Sequence, residues 1–140
     1  MLVKECMTKN VKLGNPTMTM YEAAQKMRDG HFGILPIEEN DRLVGMVTDR
    51  DIAVRGVAEG KDPKTIKVRD IMSQKVLYCY EDQSLEEIAK NLGDNKVWRL
   101  PVLNRKKRLV GILSLADMAK SHLNPKNLES ALCDLSKRQG

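Results

Sequence analysis

Leu43-Val44-Gly45-Met46-Val47-Thr48-Asp49-Arg50-Asp51 is the stretch that decides the fold. Leu43 to Val47 is apolar, rich in β-branched residues and of strand length. Thr48 follows, with Asp51 three residues on, the spacing of a helix N-cap and its reciprocal acid. A short buried strand running straight into a helix is expected. The same pattern returns as Leu109-Val110-Gly111-Ile112-Leu113-Ser114-Leu115-Ala116-Asp117. Each copy holds Leu-Val-Gly, two apolar residues, a hydroxyl residue, two variable residues and an aspartate. A chain that carries this unit twice is expected to use the copies as a pair.

The repeat extends well beyond these stretches. At an offset of 65 residues Val3 falls on Val68, Met7 on Met72, Thr19 on Ser84, Glu22 on Glu87 and Leu35-Pro36-Ile37 on Leu100-Pro101-Val102. The offset becomes 66 at Leu43-Val44-Gly45 and Leu109-Val110-Gly111, so the extra residue falls in a polar turn, where insertions are tolerated. Each copy predicts a short extended piece (Val11–Leu13; Val76–Tyr80) and a helix opened by Thr19-x-x-Glu22 or Ser84-x-x-Glu87. The apolar stripes are Met20, Ala23, Ala24, Met27 and Leu85, Ile88, Ala89, Leu92. Asp29-Gly30 and Asp94-Asn95 are expected to end these helices. A strand, a polar turn, the Leu-Val-Gly strand and a second helix follow. Pro36 and Pro101 lack a donor and are expected at an edge or strand end. The second helices are placed at Asp49–Ala58, stopped by Gly60, and from Leu115 to His122. The predicted organisation is residues 1–60 as the first repeat, 61–67 as linker, 68–123 as the second repeat and 124–140 as a C-terminal helix. That last helix opens at Asn124-Pro125 and carries Leu128, Ala131, Leu132 and Leu135 on one face.

Composition narrows the function. The chain is 41% hydrophobic and 31% charged, with only 4% aromatic residues, as expected of a globular protein with an aliphatic, Met-containing core. No apolar run reaches the ~18 residues a membrane span needs, and Met1 to Cys6 does not read as a signal peptide, so a cytoplasmic location is expected. The net charge of +5 lies in residues 66–140, densest at Arg105-Lys106-Lys107-Arg108. That run reads as a solvated hairpin turn, because neither an aromatic stacking platform nor a known nucleic-acid-binding motif is expected beside it. Cys6, Cys79 and Cys133 show no CxxC spacing, and His31 and His122 have no ligand partner at metal-binding spacing, so no metal is expected. No nucleophile–base pair or Gly-rich phosphate loop is present, and the chain is not expected to be an enzyme.

The order and duplication of these elements resemble a CBS-domain pair, the Bateman module named with cystathionine β-synthase. The resemblance spans about residues 1–123, and Val44 to Arg55 followed by Asp70-Ile71-Met72-Ser73 looks most like small stand-alone bacterial CBS proteins. It implies an α/β (α+β) fold of two β-α-β-β-α repeats, packed through their sheets about a pseudo-twofold axis, plus the C-terminal helix. It also implies clefts between the repeats for an adenine ligand: AMP, ADP, ATP or S-adenosylmethionine. By that resemblance one cleft draws on Thr48, Asp49, Arg50 and Asp51 with Val76, Leu77, Tyr78, Cys79, Tyr80, Trp98, Arg99 and Pro101. The other draws on Ser114 and Asp117 with Val11, Leu13, Pro16, Phe32, Gly33, Ile34 and Pro36.

The residue chemistry suits that role. A carboxylate at a helix start can accept two hydrogen bonds from a ribose diol, while the helix N-terminus and a Thr or Ser hydroxyl favour phosphate. Thr48-x-x-Asp51 and Ser114-x-x-Asp117 read equally well as helix caps, worth roughly 1 kcal/mol each. The clefts are not equivalent, since Asp49-Arg50 is replaced by Leu115-Ala116 and Arg99 by Ile34. Thr48 and Asp51 are therefore expected to form the better phosphate-bearing site. The resemblance further implies a homodimer, a disc of four CBS repeats, acting on an unknown protein target. Candidate contact faces are Ile52-Ala53-Val57, Met118-Ala119 and the C-terminal Leu stripe. The competing readings are a dimerising scaffold with vestigial clefts and, ranked below it, a nucleic-acid-binding protein. Cys79, beside the expected adenine slot, offers a possible point of redox tuning.

Overall fold

The computed structural model describes residues 1–95 and 99–121, together with Glu129 and Cys133. The expected C-terminal helix and Trp98 lie outside the described residues. No described helix is long and apolar enough to cross a membrane. The chain divides into two compact units. One is contiguous, Lys12–Val76. The other joins Met1–Val11 to the chain from Leu77 onward.

In the contiguous unit, helix α1 (Met20–Gly30) starts at Thr19, whose Oγ1 accepts from the Glu22 amide at 3.1 Å. The Thr19 hydroxyl in turn donates to Glu22 Oε1 at 3.2 Å, so the acid closes on the cap's side chain. Met20, Ala23 and Met27 face the core. The helix ends as expected near Gly30, but the left-handed residue is His31 (φ 55°), whose amide donates to Met27. Gly30 is small for another reason: a side chain there would run into the Phe32 ring. Strands β1 (Ile34–Glu39) and β2 (Arg42–Thr48) pair antiparallel from Ile34↔Thr48 to Ile37↔Gly45, with a bulge after Ile37. Asn40 and Asp41 between them both have positive φ, the twist that suits a two-residue hairpin. Helix α2 (Asp49–Asp51) continues as a wide π-type turn over Ile52–Gly56 and a 3₁₀ turn over Val57–Glu59. Gly60, at φ 72°, stops it where expected.

In the discontinuous unit, β3 (Cys79–Tyr80), β4 (Arg99–Leu103) and β5 (Leu109–Ser114) form a sheet in that order, β3 parallel and β5 antiparallel to β4. Helix α3 (Leu85–Asn95) takes its first-turn cap from Ser84, 3.3 Å from the Glu87 amide. The Glu87 carboxylate is held by Gln83 Nε2 at 3.0 Å instead of closing the expected box. Helix α4 runs Leu115–Ala119.

The extended piece expected at Val11–Leu13 reduces to one bridge, Gly14↔Ile37, although its counterpart Cys79↔Val102 belongs to a strand. Proline explains the difference. Glu81 donates to Leu103 O at 3.0 Å, and the residue at the matching position is Pro16, which has no N–H to give. Pro101 also departs from expectation, since β4 is the middle strand of its sheet. Pro36 O accepts from Gly14 N at 2.9 Å, so its carbonyl and its missing N–H both face away from the hairpin partner. The matching register of Pro101 gives it the same escape, and no hairpin bond is lost.

The leading segment of each repeat packs on the body of the other. Val3 N donates to Gln83 O at 2.9 Å, and its counterpart Val68 donates to Met18 O at 2.8 Å. Leu85 N reaches Met1 O at 3.1 Å, and Met20 N reaches Ile66 O at 3.0 Å. Thr8 and Ile112 exchange bonds at 2.8 and 3.0 Å, as Ser73 and Met46 do at the same lengths. These close approaches explain the glycines of the Leu-Val-Gly strands. A Cβ on Gly45 would lie 2.5 Å from Met72 Sδ and 3.0 Å from Ser73 O. On Gly111 it would lie 2.7 Å from Met7 Sδ and 2.8 Å from Thr8 O. Each unit buries its own core. One contains Met18, Met20, Met27 and Met72 around Leu35, Ile37, Val47, Val68 and Ile71. The other packs Val3, Leu85, Ile88, Leu100, Val102, Leu113, Leu115 and Met118. Each such aliphatic side chain contributes about 1.5–3 kcal/mol on burial.

Candidate functional site

Each Leu-Val-Gly strand delivers a hydroxyl and a carboxylate to one strand-to-helix junction. Thr48 Oγ1 accepts from the Asp51 amide at 3.0 Å, and Thr48 N donates to Asp51 Oδ2 at 2.9 Å. Ser114 Oγ accepts from the Asp117 amide at 3.1 Å, and Ser114 N donates to Asp117 Oδ2 at 3.1 Å. Both caps are therefore closed reciprocal boxes. Closing the box does not use up Asp51. Among the described residues Asp51 Oδ1 takes no hydrogen bond, and the Thr48 hydroxyl keeps its proton to donate. Asp117 differs, because the Thr8 hydroxyl lies 3.3 Å from each of its carboxylate oxygens.

The neighbours of each junction are set by strand register. Ile34 pairs with Thr48, and Gly33 O accepts from the Asp49 amide at 2.9 Å. Gly33 has to be small, since a Cβ there would lie 2.6 Å from Asp49 Oδ2. Asp49 Oδ1 accepts from Arg50 N at 2.8 Å, and both side chains are exposed. In the other unit the exposed Arg99 pairs with Ser114. A cavity of about 330 Å³ lies beside Asp117, lined by Met1, Glu5, Cys6, Asp117, Lys120 and Ser121. That is at the small end of ligand-sized pockets. Of these residues, sequence reasoning had named only Asp117. Thr8 was missed too, although its alignment with Ser73 places a hydroxyl at the same point of each copy.

The other expected site residues divide between the units. Thr48 to Asp51, Val76, Leu13, Pro16, Phe32, Gly33, Ile34 and Pro36 belong to the contiguous unit. Val11, Leu77, Tyr78, Cys79, Tyr80, Arg99, Pro101, Ser114 and Asp117 belong to the discontinuous one. Pro16, Pro36 and Pro101 are buried, while Leu77 and Tyr78 are exposed. Cys79 is buried in the core, and burial, followed by the nearby Cys6, pushes its thiol up to about 12. Burial and the raised thiol both disfavour the thiolate that redox chemistry there would need. Burial likewise raises Cys6, with Asp117 and Glu5 adding to the effect. Among the described residues no three His, Cys, Asp or Glu side chains converge as a metal group.

The basic run forms the β4–β5 turn, as expected. Asn104 Oδ1 accepts from Lys106 N at 2.9 Å and from Arg108 N at 3.0 Å. Its surroundings differ from the expectation, however. The Arg105 guanidinium stands 4.1 Å above the Tyr80 ring, and Tyr80 meets Tyr78 edge-to-face at 5.6 Å. Aromatic groups therefore do adjoin the basic turn in space.

The family described as CBS domain matches residues 3–56 and again residues 68–124. This chain belongs to the CBS-domain family. Among relatives, the uncharacterized protein YlbB of Bacillus subtilis is 37% identical over 136 residues, covering 96% of this chain and 90% of that protein. The crystal structure of Hypoxic Response Protein I with two coordinated zinc ions superposes with a TM-score of 0.79 at 36% identity, covering 89% of this chain and 100% of that one. The CBS domain pair of protein MJ0100, in complex with 5'-methylthioadenosine and S-adenosyl-L-methionine, gives 0.76 at 27% identity, covering 86% and 94%. The fold is thus that of a CBS-domain pair.

Proposed function

We propose that this chain is a regulatory module, not an enzyme, that binds adenine-type ligands (AMP, ADP, ATP or S-adenosylmethionine) through the ribose. Occupancy would change its conformation or its choice of partner. The observation that carries this reading is the oxygen of Asp51 left open by its closed capping box. A carboxylate held by one backbone N–H, on a residue whose own amide is capped by the Thr48 hydroxyl, keeps one oxygen unused and can accept from a ribose diol without reorganising. The Thr48 hydroxyl and Arg50 suit phosphate oxygens beside it. The cavity beside Asp117, walled by Glu5 as well, suits a ligand of low negative charge. The adenine compounds held by the CBS pair of MJ0100 support the class of ligand.

A second reading is a dimerising scaffold. Val54 and Val57, 46% and 61% exposed on the helical run after Asp51, favour self-association as a homodimer. Isothermal titration with AMP, ADP, ATP and S-adenosylmethionine, beside a thermal-shift series, separates the two. Micromolar binding with a raised melting temperature supports the ligand sensor. Silence from all four, with concentration-dependent dimerisation, supports the scaffold.

A further inference from the structure

We propose that the face formed by Tyr78, Tyr80 and the β4–β5 turn binds single-stranded nucleic acid. Three observations converge on it. Arg105 is fixed in place: its guanidinium lies 4.1 Å over the Tyr80 ring and donates to Asp82 through Nε at 2.9 Å and Nη2 at 2.8 Å. Its side chain is still 63% exposed, so one face of a held guanidinium plane is open. Tyr78, 38% exposed, adds a ring set at 86° to Tyr80. Lys106, Lys107 and Arg108 follow in an exposed turn whose shape is fixed by Asn104 and by Lys107 at φ 62°.

Each part has a counterpart in a single strand. Bases stack on tyrosine rings and on arginine planes whatever their identity, while lysines meet the phosphates. Asp82 fixes Arg105 at the expense of its charge, and Glu87 stands nearby, so the attraction to phosphate falls to Lys106 and Lys107. A preference for unpaired strands follows, because a duplex hides its base faces. This inference goes beyond the adenine-ligand reading: Tyr78 and Tyr80 are shared with the expected adenine cleft, whereas Lys106 and Lys107 take no part in it.

Fluorescence anisotropy with labelled 12-nucleotide oligo-rU and oligo-dT, on the full chain, tests it. Binding that weakens as salt rises is expected. The double variant K106E/K107E should weaken binding at least tenfold with an unchanged melting temperature and unchanged adenine-ligand titration. Tyr78→Ala should weaken it about tenfold, and Tyr78→Phe should restore it. Absence of binding at 50 mM salt would overturn the proposal. So would wild-type binding by K106E/K107E, an unchanged affinity in Tyr78→Ala, or tighter capture by phosphatidylserine vesicles than by either oligonucleotide.

Discussion

The Thr8 hydroxyl lies 3.3 Å from both carboxylate oxygens of Asp117, across 109 residues of sequence. Its counterpart Ser73 turns instead to Lys75 O at 3.5 Å, which leaves Asp51 holding its capping bonds alone. The two junctions are alike in backbone and unlike in the carboxylate they present. Asp51→Ala should therefore weaken adenine-nucleotide binding by tenfold or more, the scale of one charge-assisted hydrogen bond, and more than Asp117→Ala does. Calorimetry on both variants decides this, and equal losses would refute it. Both variants should lose about 1 kcal/mol of stability as capping residues, so each affinity is to be read well below its melting temperature.

Gly45 and Gly111 face backbone as well as flexible sulfur, and the backbone carbonyls of Ser73 and Thr8 cannot swing aside. Gly45→Val and Gly111→Val should each destabilise the protein by about 1–3 kcal/mol through overpacking. Urea unfolding would measure it. An unchanged midpoint would mean that the leading segments do not press on these strands in solution.

Cys79 supplies a pH test. Burial raises its thiol from the ordinary 9.0 to about 12, so above pH 9 the unfolded chain gives up this proton while the folded chain retains it. Its contribution to stability is complete below about pH 9 and is lost as pH climbs toward 12. Subtracting the profile of Cys79→Ala from that of the wild type isolates the effect from tyrosines and lysines titrating nearby. In native protein at pH 8 Cys79 should resist iodoacetamide and react once urea unfolds the chain.

His31 and Gly60 both adopt left-handed backbone, one with a side chain and one without. His31 adopts φ 55° with a full side chain, whereas Gly60 adopts φ 72° with nothing within 4 Å of where a Cβ would stand. His31→Gly should stabilise α1 by up to about 1 kcal/mol, and Gly60→Ala should cost about 1 kcal/mol without any clash. Thermal denaturation of the pair would show opposite shifts.

What was legible in the sequence was local. The capping residues Thr19, Ser84, Thr48 and Ser114, the hairpins and the stop at Gly60 all depend on neighbours a few residues away, and internal repetition supplied a second reading of each. The rest depends on partners far along the chain. Nothing near Val3 announces Gln83, and nothing near Thr8 announces Asp117. Tyr80 and Arg105 are 25 residues apart, so the basic turn looked bare of aromatics. The shortened first strand could have been foreseen, since Pro16 stands where the second copy has Glu81. Within the candidate site, the hydroxyl–carboxylate pairs were visible because their spacing is itself the capping box. The cavity walls at Glu5, Cys6, Lys120 and Ser121 were not, because they meet only through the exchange of leading segments.

That exchange also dictates an order of events. Residues 12–76 can complete all their own pairings as soon as they are made, whereas residues 1–11 find their partners at Glu81, Gln83 and Ile112. Residues 1–11 can dock only once the chain beyond Leu77 has been made, by which point residues 12–76 are all available to pair among themselves. The long loop that these pairings close is expected to place the contacts of Val3 and Thr8 among the late ones in folding. A cut at the repeat boundary near residue 65 would leave each half holding a leading segment that packs on the other. A fragment from 12 to 76 would carry a whole unit away.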